Sequence, residues 1–204
     1  MQTSLMIIDD FLDNPFDLRN AALQQDYPHL EEKTVFPGRN SVTRMLVDGM
    51  DQQISRLVGE SLTPKIAGHG HGRCRIALEG DTGTGNVHID DSHWSGILYL
   101  SLPEHCQGGT DFFRHKRTDM ERAPIYPEDL EKLGYENYSD IWDDVLNPDT
   151  NNEDAWERTM RVPMRFNRLI LLRPWLYHTA GPGFGESLEN GRLVYLLFFD
   201  QAGL

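Results

Sequence analysis

From Gly72 onward the chain is a series of short apolar segments separated by glycine-rich turns. Such segments are typical of β-strands, because a helix needs a longer run with its apolar residues three or four positions apart. The predicted strands are residues 73–78, 86–89, 96–100, 109–113, 168–172 and 192–199. This series predicts a mainly β fold, an antiparallel sandwich or jelly roll.

The N-terminal part of the chain has a different pattern. The predicted elements there are a strand over 5–8, a helix from Pro15 to about Gln25, and a helix over 51–58. Asn14 and Pro15 supply an N-cap and a first-turn proline, and residues 36–41, Phe-Pro-Gly-Arg-Asn-Ser, have the composition of a turn. We predict one domain over 1–204, in which residues 1–70 support a jelly-roll core over 71–204.

An acidic insertion interrupts the predicted strands at about residues 116–163. Ser139 is placed to cap a helix that ends at Pro148, and a second helix would carry Trp156 and Met160. Tryptophans at helical spacing imply packing against the body of the protein. We therefore predict a folded lid or flank with helical structure.

The chain carries 32 acidic and 19 basic side chains, a formal net charge of -13. This charge repels a phosphate backbone and no basic patch offsets it, so we expect no nucleic-acid partner. The N-terminal residues lack the pattern of a signal peptide, and no apolar run is long enough to span a bilayer. We expect a cytoplasmic protein without a membrane partner, in which the isolated Cys74 and Cys106 stay reduced and bind no metal.

Residues 86–90 read Asn-Val-His-Ile-Asp and place His88 and Asp90 two positions apart on a predicted strand. Such side chains emerge on the same face, with their Cα atoms roughly 7 Å apart. One divalent metal ion can bind both, and a second histidine would complete a two-histidine, one-carboxylate site with open positions. His178 is the candidate, because it follows the apolar strand 169–172 and precedes a glycine-rich turn.

Arg192 opens the most hydrophobic segment of the chain, Leu-Val-Tyr-Leu-Leu-Phe-Phe over 193–199. An arginine is costly to bury there unless it meets an anion. Its planar guanidinium suits a bidentate contact with a carboxylate. We therefore expect Arg192 to bind a carboxylate of a ligand.

The order His88-x-Asp90, His178 and Arg192 resembles the Fe(II)- and 2-oxoglutarate-dependent dioxygenases. The stretch 99–112, which ends in Gly-Gly-Thr-Asp-Phe, is similar to the segment after the metal motif in the prolyl-hydroxylase-like branch of that superfamily. The opening Ile-Ile-Asp-Asp-Phe-Leu also resembles that of many such enzymes. A bacterial group of uncharacterised members shares three further motifs, at residues 36–41, 164–169 and 191–193.

The resemblance implies a double-stranded β-helix, flanked here by the N-terminal helices and the helical acidic insertion. Its Fe(II) ligands would be His88, Asp90 and His178. Arg192 would bind the far carboxylate of 2-oxoglutarate, with Tyr99 as a second donor. The implied reaction converts 2-oxoglutarate to succinate and CO2 and hydroxylates, by default, a small molecule or an amino acid on a peptide or carrier protein. The oligomeric state stays open, a homodimer included.

Other side chains are weaker metal candidates. Asp91 would face away from the ligands, because one position along a strand reverses the face. His93 is expected at the surface or behind the ligands, and the His-Gly-His-Gly run at 69–72 is expected to be a flexible turn. His105 and His115 lack partners in sequence.

Several other residues have two interpretations. Gly83 and Gly85 imitate a phosphate loop, but no Gly-Lys-Ser/Thr follows, so we predict a hairpin turn or a mobile lip. Arg73 and Arg75 share a strand face that is either solvated or in contact with an acidic substrate. Three aromatic side chains would stack on a substrate or, more commonly, pack in the core: Trp94, Trp175 and Tyr177.

Two rival functions are weighed against the oxygenase. A cupin-like metal dioxygenase or isomerase would use the same sandwich without a keto acid, and Arg192 argues against it. A non-catalytic ligand-binding module would keep the pocket without turnover, and the complete triad argues against that.

Val194 departs from the family, in which a small hydroxyl residue often stands two positions after the arginine. Halogenation is not expected, because Asp90 fills the position that a halide would need.

Overall fold

The structure is a computed structural model that describes residues 2–29 and 34–203. In chain order its elements are β1 (Leu5–Ile8), α1 (Pro15–Leu23), β2 (Arg39–Asn40), α2 (Met50–Val58), β3 (Leu62–Pro64), β4 (Cys74–Ala77), β5 (Trp94–Tyr99), β6 (Gly109–His115), α3 (Pro127–Leu133), a π-helix (Trp142–Leu146), α4 (Asn147–Asp149), a 3-10 turn (Glu153–Ala155), β7 (Trp156–Pro163), β8 (Leu169–Leu172), β9 (His178–Thr179) and β10 (Arg192–Gln201). No helix in these two ranges is long and apolar enough to cross a membrane.

The strands form two antiparallel sheets. The larger sheet has the order β1-β8-β5-β10-β4-β2, with β3 paired to the end of β10, and the smaller has the order β7-β6-β9. Tyr99, Ile170 and Val194 of the larger sheet pack against Phe112 and Val162 of the smaller one. This is the predicted jelly-roll architecture.

Strand β10 is buried on both faces, which explains its almost continuous apolar sequence. Alternate residues from Leu193 to Phe199 pack on the outer face, in the cluster that also contains Leu18 of α1 and Ile54 of α2. Because side chains alternate along a strand, Arg192 and Val194 share the opposite face. That face looks into the space between the two sheets, where Val194 is packed.

The N-terminal elements lie close to their predicted bounds. Helices α1 and α2 cover the outer face of the larger sheet. In α2, Ile54 is fully buried against this sheet, whereas Leu57 is 38% exposed. The short strands β2 and β3 were not predicted, because each depends on its partner strand.

The predicted strand at 86–89 is wrong. This segment joins the smaller sheet through a single bridge, in which His88 and His178 exchange both backbone hydrogen bonds at 3.0 Å. The bridge places the segment beside β9, at the edge of the smaller sheet.

The acidic insertion packs against the body as predicted, since its Ile141 and Val145 are buried with Val87 and Ile89. The predicted helix end at Pro148 is wrong, because the π-helix runs directly into α4. Proline has no N–H to donate to the carbonyl four residues earlier, that of Asp144. Arg117 donates to this carbonyl oxygen instead, at 2.5 Å.

The predicted second helix of the insertion is also wrong. Trp156 and Met160 lie on β7, which pairs with β6 along its length, so the insertion ends before residue 156 rather than near residue 163. Most residues of β7 are exposed, and no alternation of polar and apolar side chains marks it as a strand. Helix α3, within the insertion, was not predicted.

Candidate metal and cosubstrate site

The structure brings His88, Asp90 and His178 together. One ligand atom of each lies within 4.8 Å of the other two, and no second group of this kind occurs in the described part of the chain. Nε2 of His88 is 3.6 Å from Oδ1 of Asp90, and Nε2 of His178 is 3.5 Å from Oδ2. The segment that carries His88 and Asp90 is not a strand, yet the two side chains converge. The bridge to β9 and the hydroxyl groups of Ser95 and Thr150 hold the segment in place.

Both imidazole rings have a defined tautomer. Nδ1 of His88 lies 2.8 Å from the Asn86 carbonyl oxygen, and Nδ1 of His178 lies 2.8 Å from that of Leu176. A carbonyl oxygen only accepts, so each Nδ1 carries the hydrogen and donates it. In the neutral form of each ring, Nε2 is therefore the nitrogen with the lone pair, and it lies on the side of Asp90, where a metal ligand is needed.

Burial and mutual charge set the protonation of the three groups. Burial, together with the neighbouring His178, lowers the pKa of His88 to about 4. Burial alone would raise the pKa of Asp90, but contacts with His178, His88 and Ser95 outweigh it and hold that pKa well below its usual range. Burial likewise opposes protonation of His178, whereas the Asp90 carboxylate raises the pKa of that ring. The cluster thus offers an ionised carboxylate and a neutral His88 at neutral pH.

Two hydroxyl groups outside the cluster hold its ligand segment. Ser95 on β5 donates to Oδ2 of Asp90 at 2.6 Å, and its oxygen lies 2.9 Å from that of Ser92. Thr150, at the end of the insertion helix, accepts from the Asn86 N–H and donates to the Val87 carbonyl oxygen, both at 2.9 Å. The Val87 N–H donates to the Thr150 carbonyl oxygen at 3.1 Å. Thr150 therefore replaces part of the strand ladder that residues 86–89 lack.

Arg192 is buried between the two sheets, 3% exposed. Its Nε and one terminal nitrogen are among the few buried side-chain atoms of the described residues that have no hydrogen-bond partner. Burial lowers the pKa of this guanidinium. An arginine in such a place needs an anion to compensate its lost hydration.

Tyr99 lies next to Arg192, with the guanidinium carbon 5.9 Å from the centre of its ring. The Tyr99 hydroxyl is 2.7 Å from Oγ1 of Thr110, and both residues are buried. Position 194, where a small hydroxyl residue was expected from the family resemblance, is a valine. Thr110 of the smaller sheet supplies a hydroxyl group in the same region. The Arg192 region thus contains a cation and two hydroxyl groups.

Arg75 also points inward, since it pairs with Val194 across the sheet, so its strand face is not a solvated one. Its donors bind β2 and the loop before it: Nε donates to the Pro37 carbonyl oxygen at 2.9 Å, and the terminal nitrogens donate to the Phe36 carbonyl oxygen and to Oδ1 of Asn40. Phe36 in turn lies over His88, with ring centres 4.0 Å apart. Arg75 therefore fixes the loop that covers one metal ligand. Arg73, just before β4, donates to backbone carbonyls on the other side of β2.

The remaining metal candidates lie elsewhere. Asp91 is exposed and pairs with Lys65 at 3.4 Å, and His93 contacts Glu60 at 2.5 Å. His71 lies in the predicted turn but is buried, with Nδ1 2.7 Å from the Phe198 carbonyl oxygen. His115, also buried, lies between Thr118 and Asp149, at 3.0 Å from each.

The other ambiguous residues are now placed. Trp94 and Tyr177 are fully buried in core clusters, and Trp175 packs against the guanidinium of Arg173. Gly83 is part of neither a hairpin nor a strand, and a Cβ atom at this position would clash with the Val35 carbonyl oxygen. Ser95, Thr110 and Thr150 were missed, because no local pattern distinguishes a hydroxyl that contacts a ligand from any other.

Comparison with known proteins places the chain in a family and in a fold. The model of the family described as "Family of unknown function (DUF6445)" matches residues 1–199. No curated protein matches the sequence.

Among solved structures, HygX from Streptomyces hygroscopicus with nickel, 2-oxoglutarate and hygromycin B bound matches with a TM-score of 0.56 at 12% identity, over 100% of this chain and 85% of that one. The non-heme alpha-ketoglutarate-dependent carbocyclase SnoK from nogalamycin biosynthesis matches with a TM-score of 0.52 at 13% identity, over 98% and 80%. These similarities confirm the predicted double-stranded β-helix and the likeness in fold to 2-oxoglutarate-dependent enzymes.

Proposed function

Since the chain belongs to DUF6445, a family of unknown function, its activity has to be inferred from its site, and we propose that it is an Fe(II)- and 2-oxoglutarate-dependent oxygenase. One observation carries the proposal. Arg192 is a buried cation with unpaired nitrogens, in a β-sandwich whose edge holds a two-histidine, one-carboxylate cluster. The two features together distinguish this oxygenase from a metal enzyme without a keto acid.

The cluster fits a divalent metal ion. Two imidazole nitrogens and one carboxylate form the donor set of non-heme Fe(II) oxygenases, although later divalent metals bind such sites more tightly. In our proposal His88, Asp90 and His178 hold Fe(II). The bound iron would supply the activation of dioxygen, coupled to decarboxylation of 2-oxoglutarate to succinate and CO2.

The Arg192 region fits a dicarboxylate. The unpaired nitrogens of Arg192 would donate to the far carboxylate, and the hydroxyls of Tyr99 and Thr110 lie beside that guanidinium. Phe112 links the two halves of the site, since it packs with Tyr99 and its ring centre is 6.3 Å from that of His178. A keto acid anchored by Arg192 would thus lie in the core that borders the metal cluster.

The residues of the chain would perform three tasks. Asp90 stays ionised and neutralises part of the metal charge, while Ser95 fixes its orientation. Thr150 and the backbone bridge between the histidines keep the Nε2 atoms convergent before any ligand arrives. The apolar core around Phe112 would exclude water from the keto acid, which limits side reactions.

The product would be a hydroxylated small molecule, or a hydroxylated amino acid on a peptide or carrier protein. Fe(II) and 2-oxoglutarate are added to the protein without oxygen, and the metal-to-ligand charge-transfer band is recorded. Oxygen is then admitted and succinate is measured. We expect a band with the wild-type protein, and its absence would overturn the use of 2-oxoglutarate.

Two variants test the ligand assignment. His178→Ala should abolish the band, because it removes one of the two imidazole ligands. His105→Ala is the matched control, since His105 lies outside the cluster, and it should leave the band unchanged. A band that survives in His178→Ala would overturn the assignment, and a band without succinate formation would favour a binding module.

A further inference from the structure

A cavity of about 290 Å³ lies directly beside His88. Three segments distant in sequence line it: residues 35–36, residues 84–89 and the helical stretch 142–150. The first two are joined by backbone hydrogen bonds, from Thr84 to Thr34 at 3.1 Å and from Gly85 to Val35 at 2.8 Å. The third is joined to the second through Thr150. The cavity is therefore a built feature with hydrogen-bonded walls.

The lining of this cavity is mainly apolar. The apolar lining residues are Val35, Phe36, Val87, Ile89, Trp142 and Leu146. Among the described residues that line it, His88 is the only ionisable one. A charged group that entered would lose hydration without gaining a counter-ion. The cavity thus suits an uncharged apolar group.

Trp142 is the aromatic residue that the insertion contributes to the cavity. Its neighbours Ile141 and Val145 are fully buried in the core, whereas Trp142 is 41% exposed. It begins the π-helix, where the Asn147 N–H donates to the Trp142 carbonyl oxygen five residues earlier. Such wide turns occur frequently at functional sites. Here the wide turn contributes both Trp142 and Leu146 to the lining of the cavity.

Phe36 is the facing aromatic residue, and it is fixed. Its ring packs on His88, and its carbonyl oxygen accepts from Arg75. The cavity volume lies near the lower end of the ~300–1,000 Å³ of small-molecule pockets. It is sufficient for one fused ring system or one branched chain.

We propose that this cavity is the subsite for the second substrate, that it takes an uncharged aromatic or branched aliphatic group, and that Phe36 and Trp142 determine its specificity. The inference rests on the proposed oxygenase function, because His88 is both a wall of the cavity and a metal ligand in that proposal. A group bound there contacts the metal cluster from the side of His88.

Three probes with one ring system and different charges test the substrate class. 2-Naphthalenemethanol is neutral, 2-naphthylacetate is an anion and 2-naphthylmethylamine is a cation. Their affinities for the metal-free full chain are measured by ligand-detected saturation-transfer NMR. We expect the neutral probe to bind at least about tenfold more tightly than either charged probe. Equal affinity of a charged probe would overturn the substrate class.

Two pairs of variants locate the binding. Val35→Trp should fill the mouth of the cavity and abolish binding, whereas Val42→Trp adds the same bulk at a similarly exposed position outside it. Trp142→Ala should weaken binding by about tenfold. Tyr138→Ala, also in the insertion and equally exposed, should not. Equal binding by the two tryptophan variants would overturn the location.

A last measurement separates this inference from the proposed function. The neutral probe is added to the anaerobic complex with Fe(II) and 2-oxoglutarate, where it should shift the charge-transfer band. A band that does not shift with saturating probe would overturn the contact with the metal cluster. Selective probe binding without any band would refute the oxygenase and leave an apolar binding site. A band without selective probe binding would refute only the substrate class.

Discussion

Two inward-pointing arginines on neighbouring strands border the two sides of the candidate site, and their surroundings differ. Arg75 on β4 donates to acceptors of β2 and of the preceding loop, which carries Phe36. Arg192 on β10 has an unpaired Nε and an unpaired terminal nitrogen. Burial and the charge of Arg192 lower the pKa of Arg75 to about 10, and burial lowers that of Arg192.

The difference shows which cation is available to a ligand. A guanidinium whose donors are satisfied by backbone carbonyls organises a loop and has little left for a substrate. A guanidinium that is buried and unpaired destabilises the protein until an anion binds. The Arg192 side is therefore prepared for a ligand, whereas the Arg75 side is held together by its own hydrogen bonds.

Arg192→Leu gives the largest expected effect. Loss of a bidentate charge-assisted contact should raise the 2-oxoglutarate concentration needed for half of the charge-transfer band by about 100-fold. The free energy of unfolding should not fall, because the variant removes a buried charge without a partner. Anaerobic titration and urea unfolding measure the two quantities. An unchanged 2-oxoglutarate requirement would show that Arg192 is not the cation that binds the carboxylate.

Arg75→Leu should have the opposite profile. The free energy of unfolding should fall by about 2 kcal/mol, since the half-buried carbonyls of the loop lose their donor. The 2-oxoglutarate requirement should change by less than about tenfold, because Arg75 does not bind the carboxylate. Urea unfolding of Arg75→Leu and Arg192→Leu under the same conditions measures the difference between their free energies of unfolding. If Arg192→Leu were the less stable of the two variants, the roles assigned here would be reversed.

Thr150→Val tests how residues 86–90, which carry the metal ligands His88 and Asp90, are held in place. The variant keeps the shape of the side chain but loses both hydroxyl hydrogen bonds to residues 86 and 87. Affinity for Ni(II), measured by calorimetry, should fall by about tenfold, as for other groups that orient metal ligands. Thr150→Ser should retain it. Thr159→Val, which removes a hydroxyl on β7, is the control, and an equal loss there would contradict the prediction.

The smallest effect concerns pH. Burial lowers the pKa of His115 below its usual value, although Asp149 opposes the shift. Because the folded-state pKa lies below the unfolded one, the unfolded chain takes up the proton first, and stability should fall as pH falls through about 6.5. One proton limits the slope to about 1.4 kcal/mol per pH unit. Urea unfolding of wild type and His115→Gln at several pH values should show a shallower dependence in the variant, and identical slopes would count against this role.

Much of the fold could be predicted because it depends on local patterns. Strands such as β8 and β10 are apolar runs that end at turn residues, and Pro15 marks the start of α1. The four polar residues of the site could be proposed because each is unusual where it stands. A charge at the start of an apolar strand, such as Arg192, is visible without any structure.

The rest depends on contacts between distant segments. Residues 86–89 have the composition of a strand, yet Thr150, 63 residues away from Val87, takes over part of their hydrogen bonding. Strand β7 has no alternation that would reveal it, and its pairing with β6 determines it. The role of Arg75 depends on acceptors 35 to 39 positions earlier in the chain. No local window of the sequence contains these pairs.

The backbone bridge between His88 and His178 has a practical consequence. These two residues pair through their main chains, so their spacing does not depend on anything bound between their rings. Proteins whose sites form only around an ion unfold when a chelator removes it. This chain should instead survive chelation intact and be reloadable with one divalent ion after another. The same scaffold could then be compared as its iron, nickel or zinc form.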